Sequence, residues 1–116
     1  ALFDFDSATL KADATGTLQD VLHKLNAADK TARITVTGHT DRLGSDDYNR
    51  DLSRRRAEAV RDYLVRGGIA ASRIRSAGLG SAHPLSNCRD SLGKAALIAC
   101  LQPDRRVEIT VGTAGE

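Results

Sequence analysis

Aromatic residues are scarce in this 116-residue chain: Phe3, Phe5, Tyr48 and Tyr63 make up the whole 3%, and there is no tryptophan. So little planar surface cannot form a base-stacking platform, and a net charge of +2 provides no field to hold a polyanion. Nucleic acid is therefore excluded as a partner. No apolar run approaches the roughly 18 residues that a membrane-crossing helix requires. The only two cysteines, Cys88 and Cys100, have no CxxC spacing, and His23, His39 and His83 are scattered. A structural zinc site wants four N or S ligands, which this pattern does not assemble, so neither a metal nor another cofactor is expected. Two readings of the cysteines remain open: buried free thiols, or a disulfide closing a short loop in an oxidising compartment.

What is present is ordinary for a folded protein, with 41% hydrophobic and 28% charged residues. A chain of this length buries roughly two-thirds of its unfolded surface, so residues 1–116 are expected to form a single domain. It opens inside a strand-like segment and is expected to be a piece excised from a longer protein. Thirteen of the seventeen basic residues are arginine, the cation better suited to partly buried pairing and to gripping carboxylates in a planar fork.

Leu2-Phe3-Asp4-Phe5 predicts a short first strand, followed by a turn in which Ser7 or Thr9 can cap a helix. Leu18, Val21, Leu22 and Leu25 recur at helical spacing and place a helix over about residues 12–27. Residues 33–37 alternate strictly, as a half-buried strand does, and run into a turn-rich loop at 38–45. A second helix is expected over about 47–66, stopped by Gly67-Gly68. A strand over 73–79, a loop over 80–87, a third helical stretch near 91–101 ended by Pro103, and a last strand over 106–111 complete the chain. The order β-α-β-α-β-(α)-β points to the α/β class, an α+β sandwich with one mixed sheet of about four strands and helices packed on it.

The second helix contains an anomaly. At about 100° per residue from Leu52, the apolar Ala59, Val60, Tyr63 and Leu64 span an arc from about −20° to 120° that the helix must bury. Arg56 falls near 40°, inside that arc, whereas Arg54 and Arg61 fall on the solvated side at about 180–200° and Arg55 at the margin. An unpaired buried guanidinium is costly, so Arg56 needs an anion or a solvent-filled cleft. Asp41, in the loop feeding this helix, is the nearest obvious candidate. Either the two form a structural ion pair, or they stand apart as an anionic and a cationic wall of a pocket for a zwitterion. Strand-end loops beside helix N-termini are where α/β sheets place ligands. In such a pocket Asp41 accepts from an ammonium, Arg56 clamps a carboxylate, and Asn49 adds an amide contact. No nucleophile, base and orienter are arranged for catalysis.

These residues also carry a family pattern. Thr37-Gly38-His39-Thr40-Asp41, Gly44, Tyr48-Asn49, Leu52-Ser53, Arg55-Arg56-Ala57, Val60 and Tyr63-Leu64 resemble the OmpA-like peptidoglycan-binding domain. Phe3-Asp4-Phe5-Asp6-Ser7 resembles its opening strand and loop, Gly67-Gly68-Ile69 its helix exit, and Asp104-Arg105-Arg106-Val107-Glu108 its final strand. The resemblance implies non-covalent binding of peptidoglycan through the diaminopimelate of the stem peptide, held by Asp41 and Arg56. It implies further contacts from Asn49, from Asp6 and Ser7, and from Arg105 or Arg106, of which strand parity favours Arg105. It also implies a periplasmic domain attached to an outer-membrane barrel, anchoring that membrane to the cell wall, with a weak homodimer as a further expectation. The periplasmic address favours a Cys88–Cys100 disulfide over free thiols. The competing reading is a hydrolase or metal-dependent enzyme working on wall peptides through His39 and Asp41. The chain lacks the additional Glu, Cys or His ligands such an enzyme needs.

Overall fold

Strict alternation puts the segment from Arg33 to Gly38 at the centre of the sheet. In the computed structural model, which describes Phe3, Leu10, residues 14–27 and residues 32–112, it is strand β1 (Arg33–Gly38). Ile34 and Val36 are wholly buried on one face, while exposed Arg33 and half-buried Thr35 and Thr37 take the other. Strand β2 (Ile74–Gly78) pairs parallel with β1 on one side, and β3 (Val107–Gly112) pairs antiparallel on the other, giving the order β2-β1-β3. Parallel neighbours need a crossover, and helix α2 (Asp46–Arg66) supplies it.

The start of α2 is set by Ser45, whose hydroxyl accepts from the Tyr48 amide at 3.2 Å, with Asp46 and Asp47 in the first turn complementing the helix dipole. Its end is set by Gly67 and by Gly68, which adopts φ +106°, a conformation open to glycine at little steric cost. Between them Leu52, Ala57, Val60 and Leu64 are buried. Helix α1 (Ala14–Ala27) adds Leu18 and Leu25 to the same core, which also takes in Phe3, Ile34, Val36, Ile69 and Ile74. The helix lies close upon the sheet because two register partners, Gly38 and Gly78, lack side chains. A methyl group at Gly38 would overlap the Ser53 carbonyl, and one at Gly78 would overlap the Arg54 amide. Ser53, fully buried, fixes this contact by accepting from the Gly80 amide at 2.9 Å.

The mixed sheet with helices packed on it is as the sequence predicts, but some boundaries differ. Three strands are described; the expected first strand at residues 2–5, apart from Phe3, lies outside the described residues, as do Asp6, Ser7 and Thr9. The strand expected from Arg73 begins at Ile74, because Ala71–Arg73 forms a 3-10 turn closed by the Arg73 amide on the Ala70 carbonyl. The third helix, α3 (Lys94–Cys100), is only seven residues long: Gly93 is extended before it. Pro103 ends it less directly than expected, standing in the first turn of a 3-10 segment, Gln102–Asp104, where its fixed φ is tolerated. Cys88 and Cys100 are joined in a disulfide with Cα atoms 6.0 Å apart, which ties the long loop before α3 to the helix end.

Candidate functional site

A cavity of about 210 Å³ opens where β1 ends and α2 begins. Its walls include Thr40, Asp41, Asn49, Arg56 and Arg105 together with the apolar edges of Leu43, Leu52 and Tyr48. The four described residues that the resemblance assigns to ligand contacts, Asp41, Arg56, Asn49 and Arg105, therefore meet here. The volume falls short of the roughly 300–1,000 Å³ of sites that enclose a whole small molecule, so the cavity fits the charged end of a larger ligand.

Local folding explains each placement. His39 and Thr40 prolong the sheet pairing beyond β1, their amides donating to Arg106 and Gly80 carbonyls at 2.8 and 2.9 Å. The chain then turns, and the Asp41 carboxylate stabilises the turn by accepting from the Leu43 amide at 3.0 Å. Asn49, one turn into α2 and 2% exposed, donates its side-chain amide to the Asp41 carbonyl at 3.2 Å and locks the loop to the helix. Arg56 is fully buried, as the wheel requires. Its Nη1 donates to the His39 carbonyl at 3.4 Å, and its guanidinium lies 5.5 Å from the centre of the Phe3 ring, within cation–π range.

The guanidinium that meets Asp41 is that of Arg105, not Arg56. Arg105 Nη1 donates to Asp41 Oδ2 at 3.0 Å and to the Ile98 carbonyl at 2.9 Å, with both side chains almost wholly buried. Strand parity is not what brings Arg105 in. It precedes β3, with φ −84° and ψ 83° after the 3-10 segment, and its guanidinium bridges the carboxylate to the end of α3. Arg105 thus positions Asp41 as well as lining the cavity. The Thr40 hydroxyl, also on the cavity wall and 3% exposed, has no hydrogen-bond partner among the described residues. A buried hydroxyl of this kind can donate to or accept from a polar atom that reaches the cavity wall.

His39 does not join this site. It is not among the lining residues; its Nε2 lies 3.3 Å from the Glu108 carboxylate and its ring is edge-on to His83 at 6.1 Å. Burial, reinforced by the nearby Arg106 cation, holds the imidazole below its ordinary pKa in spite of Glu108, so it is neutral at pH 7. Asp41 has other partners, so the pairing of His39 with Asp41 required by a hydrolytic reading is not made. Arg61 also departs from expectation: instead of pointing into solvent it is half-buried, its guanidinium donating to the Ala71 and Ile74 carbonyls at 3.2 and 3.5 Å.

Two supporting residues escaped the sequence reading. Asp104 is 2% exposed and accepts from the Leu85 and Ser86 amides at 2.7 and 2.8 Å and from the Ser86 hydroxyl at 2.7 Å. Burial opposes its ionisation, but the Ser86 and Leu85 hydrogen bonds and the Arg106 cation prevail and hold it below the usual carboxylate range. Arg42 donates to the Cys88 carbonyl at 2.9 Å and the Asp90 carboxylate at 2.6 Å, linking the Asp41 loop to the disulfide loop. Only the Asp-Arg-Arg run before the last strand hints at the first, and nothing local signals the second.

With this geometry established, comparison with known proteins is informative. A family model described as the OmpA family matches residues 2–96. Outer membrane protein A of Escherichia fergusonii is 46% identical over 113 residues, covering 95% of this chain and 46% of that protein. Outer membrane protein P5 of Haemophilus influenzae is 45% identical over 111 residues, covering 94% of this chain and 31% of the relative. The chain thus spans between about a third and a half of these curated relatives. Among solved structures, the peptidoglycan-associated lipoprotein from Burkholderia pseudomallei superposes with a TM-score of 0.80 at 28% identity, covering 95% of this chain and 86% of that one.

Proposed function

The chain belongs to the OmpA family, and on that premise we propose that it binds peptidoglycan without catalysis, gripping the diaminopimelate of a stem peptide and anchoring an outer-membrane protein to the wall. The domain is periplasmic, and its curated relatives are outer membrane proteins. The observation carrying the reading is a small cavity walled by a buried carboxylate, a fully buried guanidinium and a buried hydroxyl without a hydrogen-bond partner among the described residues.

Diaminopimelate ends in a carbon bearing both an ammonium and a carboxylate. Asp41, held by Arg105 and the Leu43 amide, offers negative charge to the ammonium. Arg56 offers its planar fork to the carboxylate. The Thr40 hydroxyl, without a partner among the described residues, adds a hydrogen bond to the ligand, and Asn49 holds the Asp41 loop in place. Asp6 and Ser7, outside the described residues, are proposed as contacts from the first loop. The grip is preorganised, since α2 and the sheet fix both charged walls before the ligand arrives.

Co-sedimentation with insoluble diaminopimelate-type peptidoglycan tests this. Asp41→Asn and Arg56→Gln are each expected to weaken binding by about 2–5 kcal/mol, with circular dichroism and melting checked for each variant. Binding retained by both folded variants overturns the cavity as the binding site. Soluble fragments released from the sediment by the wild-type chain would reveal a hydrolase instead.

A further inference from the structure

Asp41 forms a wall of the cavity, yet two of its supports lead away from the cavity to the loop and helix that the disulfide joins. Arg42, next to Asp41 in the chain, donates to the Cys88 carbonyl at 2.9 Å. On the other side, Arg105 Nη1 donates to Asp41 Oδ2 at 3.0 Å and to the Ile98 carbonyl at 2.9 Å. Ile98 stands two residues before Cys100 in α3. These contacts close a ring that runs from Asp41 and Arg42 to Cys88, across the disulfide to Cys100, and back through Ile98 and Arg105 to Asp41. Hydrogen bonds make the other tertiary links of this ring; the disulfide is the covalent one.

Helix α3 depends on such links. It is seven residues long and none of them is buried, and a helix that short does not persist by itself in water. Leu101, just past its end, is buried and fixes that end. The turn that presents Ile98 is tied down by the Arg105 hydrogen bond and by the bridge at Cys100. Access to the two sulfur-bearing residues differs. Cys88 is 7% exposed, whereas Cys100 is only half-buried, on a helix whose Ala96 and Ala99 are exposed.

We infer that this disulfide is a thiol-sensitive lock on the ligand cavity: exchange with a dithiol opens the ring and loosens the hold on Asp41 while the chain stays folded. The lock acts on the cavity proposed above and so rests on the peptidoglycan reading. A thiolate of the dithiol attacks Cys100 Sγ, the S–S bond breaks, and Cys88 leaves as a thiolate that takes up a proton. The second thiol then attacks the reductant's own sulfur in the mixed disulfide, and Cys100 is released as a thiol. Two electrons and two protons pass to the chain, and the dithiol becomes a cyclic disulfide. With the ring open, Asp41 and Arg105 are ordered in part at the moment of binding, a cost that the oxidised chain avoids.

The test compares the oxidised chain, the chain reduced with dithiothreitol, and Cys88→Ser/Cys100→Ser in co-sedimentation with diaminopimelate-type peptidoglycan, with ¹⁵N spectra of each. Reduction and the double variant are each expected to weaken sedimentation roughly tenfold. The Leu43 and Ile98 amides should shift, while those of the core residues Val36 and Val60 stay in place. Dithiothreitol should change nothing further in the variant. Arg42→Ala opens the ring at another link with the disulfide intact and should also weaken sedimentation. Arg42→Lys keeps a donor for the Cys88 carbonyl and should restore it, a rescue that a bond serving only to stabilise the fold does not predict. Equal sedimentation by the oxidised and reduced chains, or by Arg42→Ala and the wild type, overturns the lock and leaves the peptidoglycan reading standing. Loss of the Val36 and Val60 signals on reduction also overturns it, since the bond then supports the whole fold. No sedimentation of the oxidised chain overturns the peptidoglycan reading, and the lock with it.

Discussion

Two sets of ion pairs, one on the outer face of helix α2 and one beneath its inner face, differ in nearly every physical respect. On its outer face Arg54 meets Asp51 at 2.6 Å and Glu58 at 2.8 Å, and Arg55 meets Asp51 at 3.0 Å. All four side chains are about half exposed, and water and salt compete for each contact. Beneath the inner face, Arg56 is fully buried and Asp41 meets Arg105 at 3.0 Å with both partners nearly inaccessible. The outer network has the shorter contacts, and the inner pair has the larger energetic stake. Distance alone does not rank ion pairs; what each partner would face on losing the other does.

The sharpest way to break the comparison is to remove one inner partner. Arg105→Ala leaves the Asp41 carboxylate buried with, among the described residues, the Leu43 amide alone for support, and opens the link to Ile98. It is expected to destabilise the chain by about 3–5 kcal/mol in urea denaturation. Arg105→Met combined with Asp41→Asn removes both charges and should recover much of that loss. A double variant as unstable as the sum of the single ones would mean that the two residues do not act as a pair.

The inner region also excludes a charge that the outer face would tolerate. His39, 3% exposed, is held below its ordinary pKa of 6.5 first by burial and then by Arg106. Because the folded value is depressed, the unfolded chain takes up the proton more readily. The contribution of neutral His39 is full above pH 6.5 and is lost as pH falls through the folded value. Melting temperature should therefore fall between pH 7 and pH 5.5, above the range in which Asp104 and Glu108 titrate. His39→Gln should flatten that slope. An equal slope in the variant assigns the acid sensitivity to other groups.

The fold was legible where local pattern and tertiary demand agree. Residues 33–37 alternate because one face of β1 is buried, and Leu52, Val60 and Leu64 recur because α2 lies on that face. The same logic exposed Arg56, since a cation in an apolar arc is a conflict only a site resolves. The partner of Asp41 was not legible. Arg105 is 64 residues away, and its approach depends on a 3-10 segment that moves it off the strand on which parity was counted. Arg61 misled for a related reason: a helical wheel places a Cα and not the head of a long side chain, which here folds back to the sheet edge. The third helix, expected near 91–101, starts only at Lys94 because Gly93 is extended immediately before it.

The smallest effect belongs to the outer face, and its smallness is what the comparison requires. Arg54 holds Asp51 below the usual carboxylate range through their hydrogen bond. Yet both groups are open to water, and Arg55 remains on Asp51 when Arg54 is removed. Arg54→Ala should leave urea midpoint, melting temperature and peptidoglycan sedimentation at wild-type values, in low salt and at 0.5 M salt alike (roughly a 4–5 Å screening length). Arg56→Gln, two residues along the same helix, should abolish sedimentation in both salts. If Arg54→Ala instead weakens sedimentation at low salt only, the outer face takes part in wall binding through screened charge. In that case the division of α2 into a binding face and a solvated face fails.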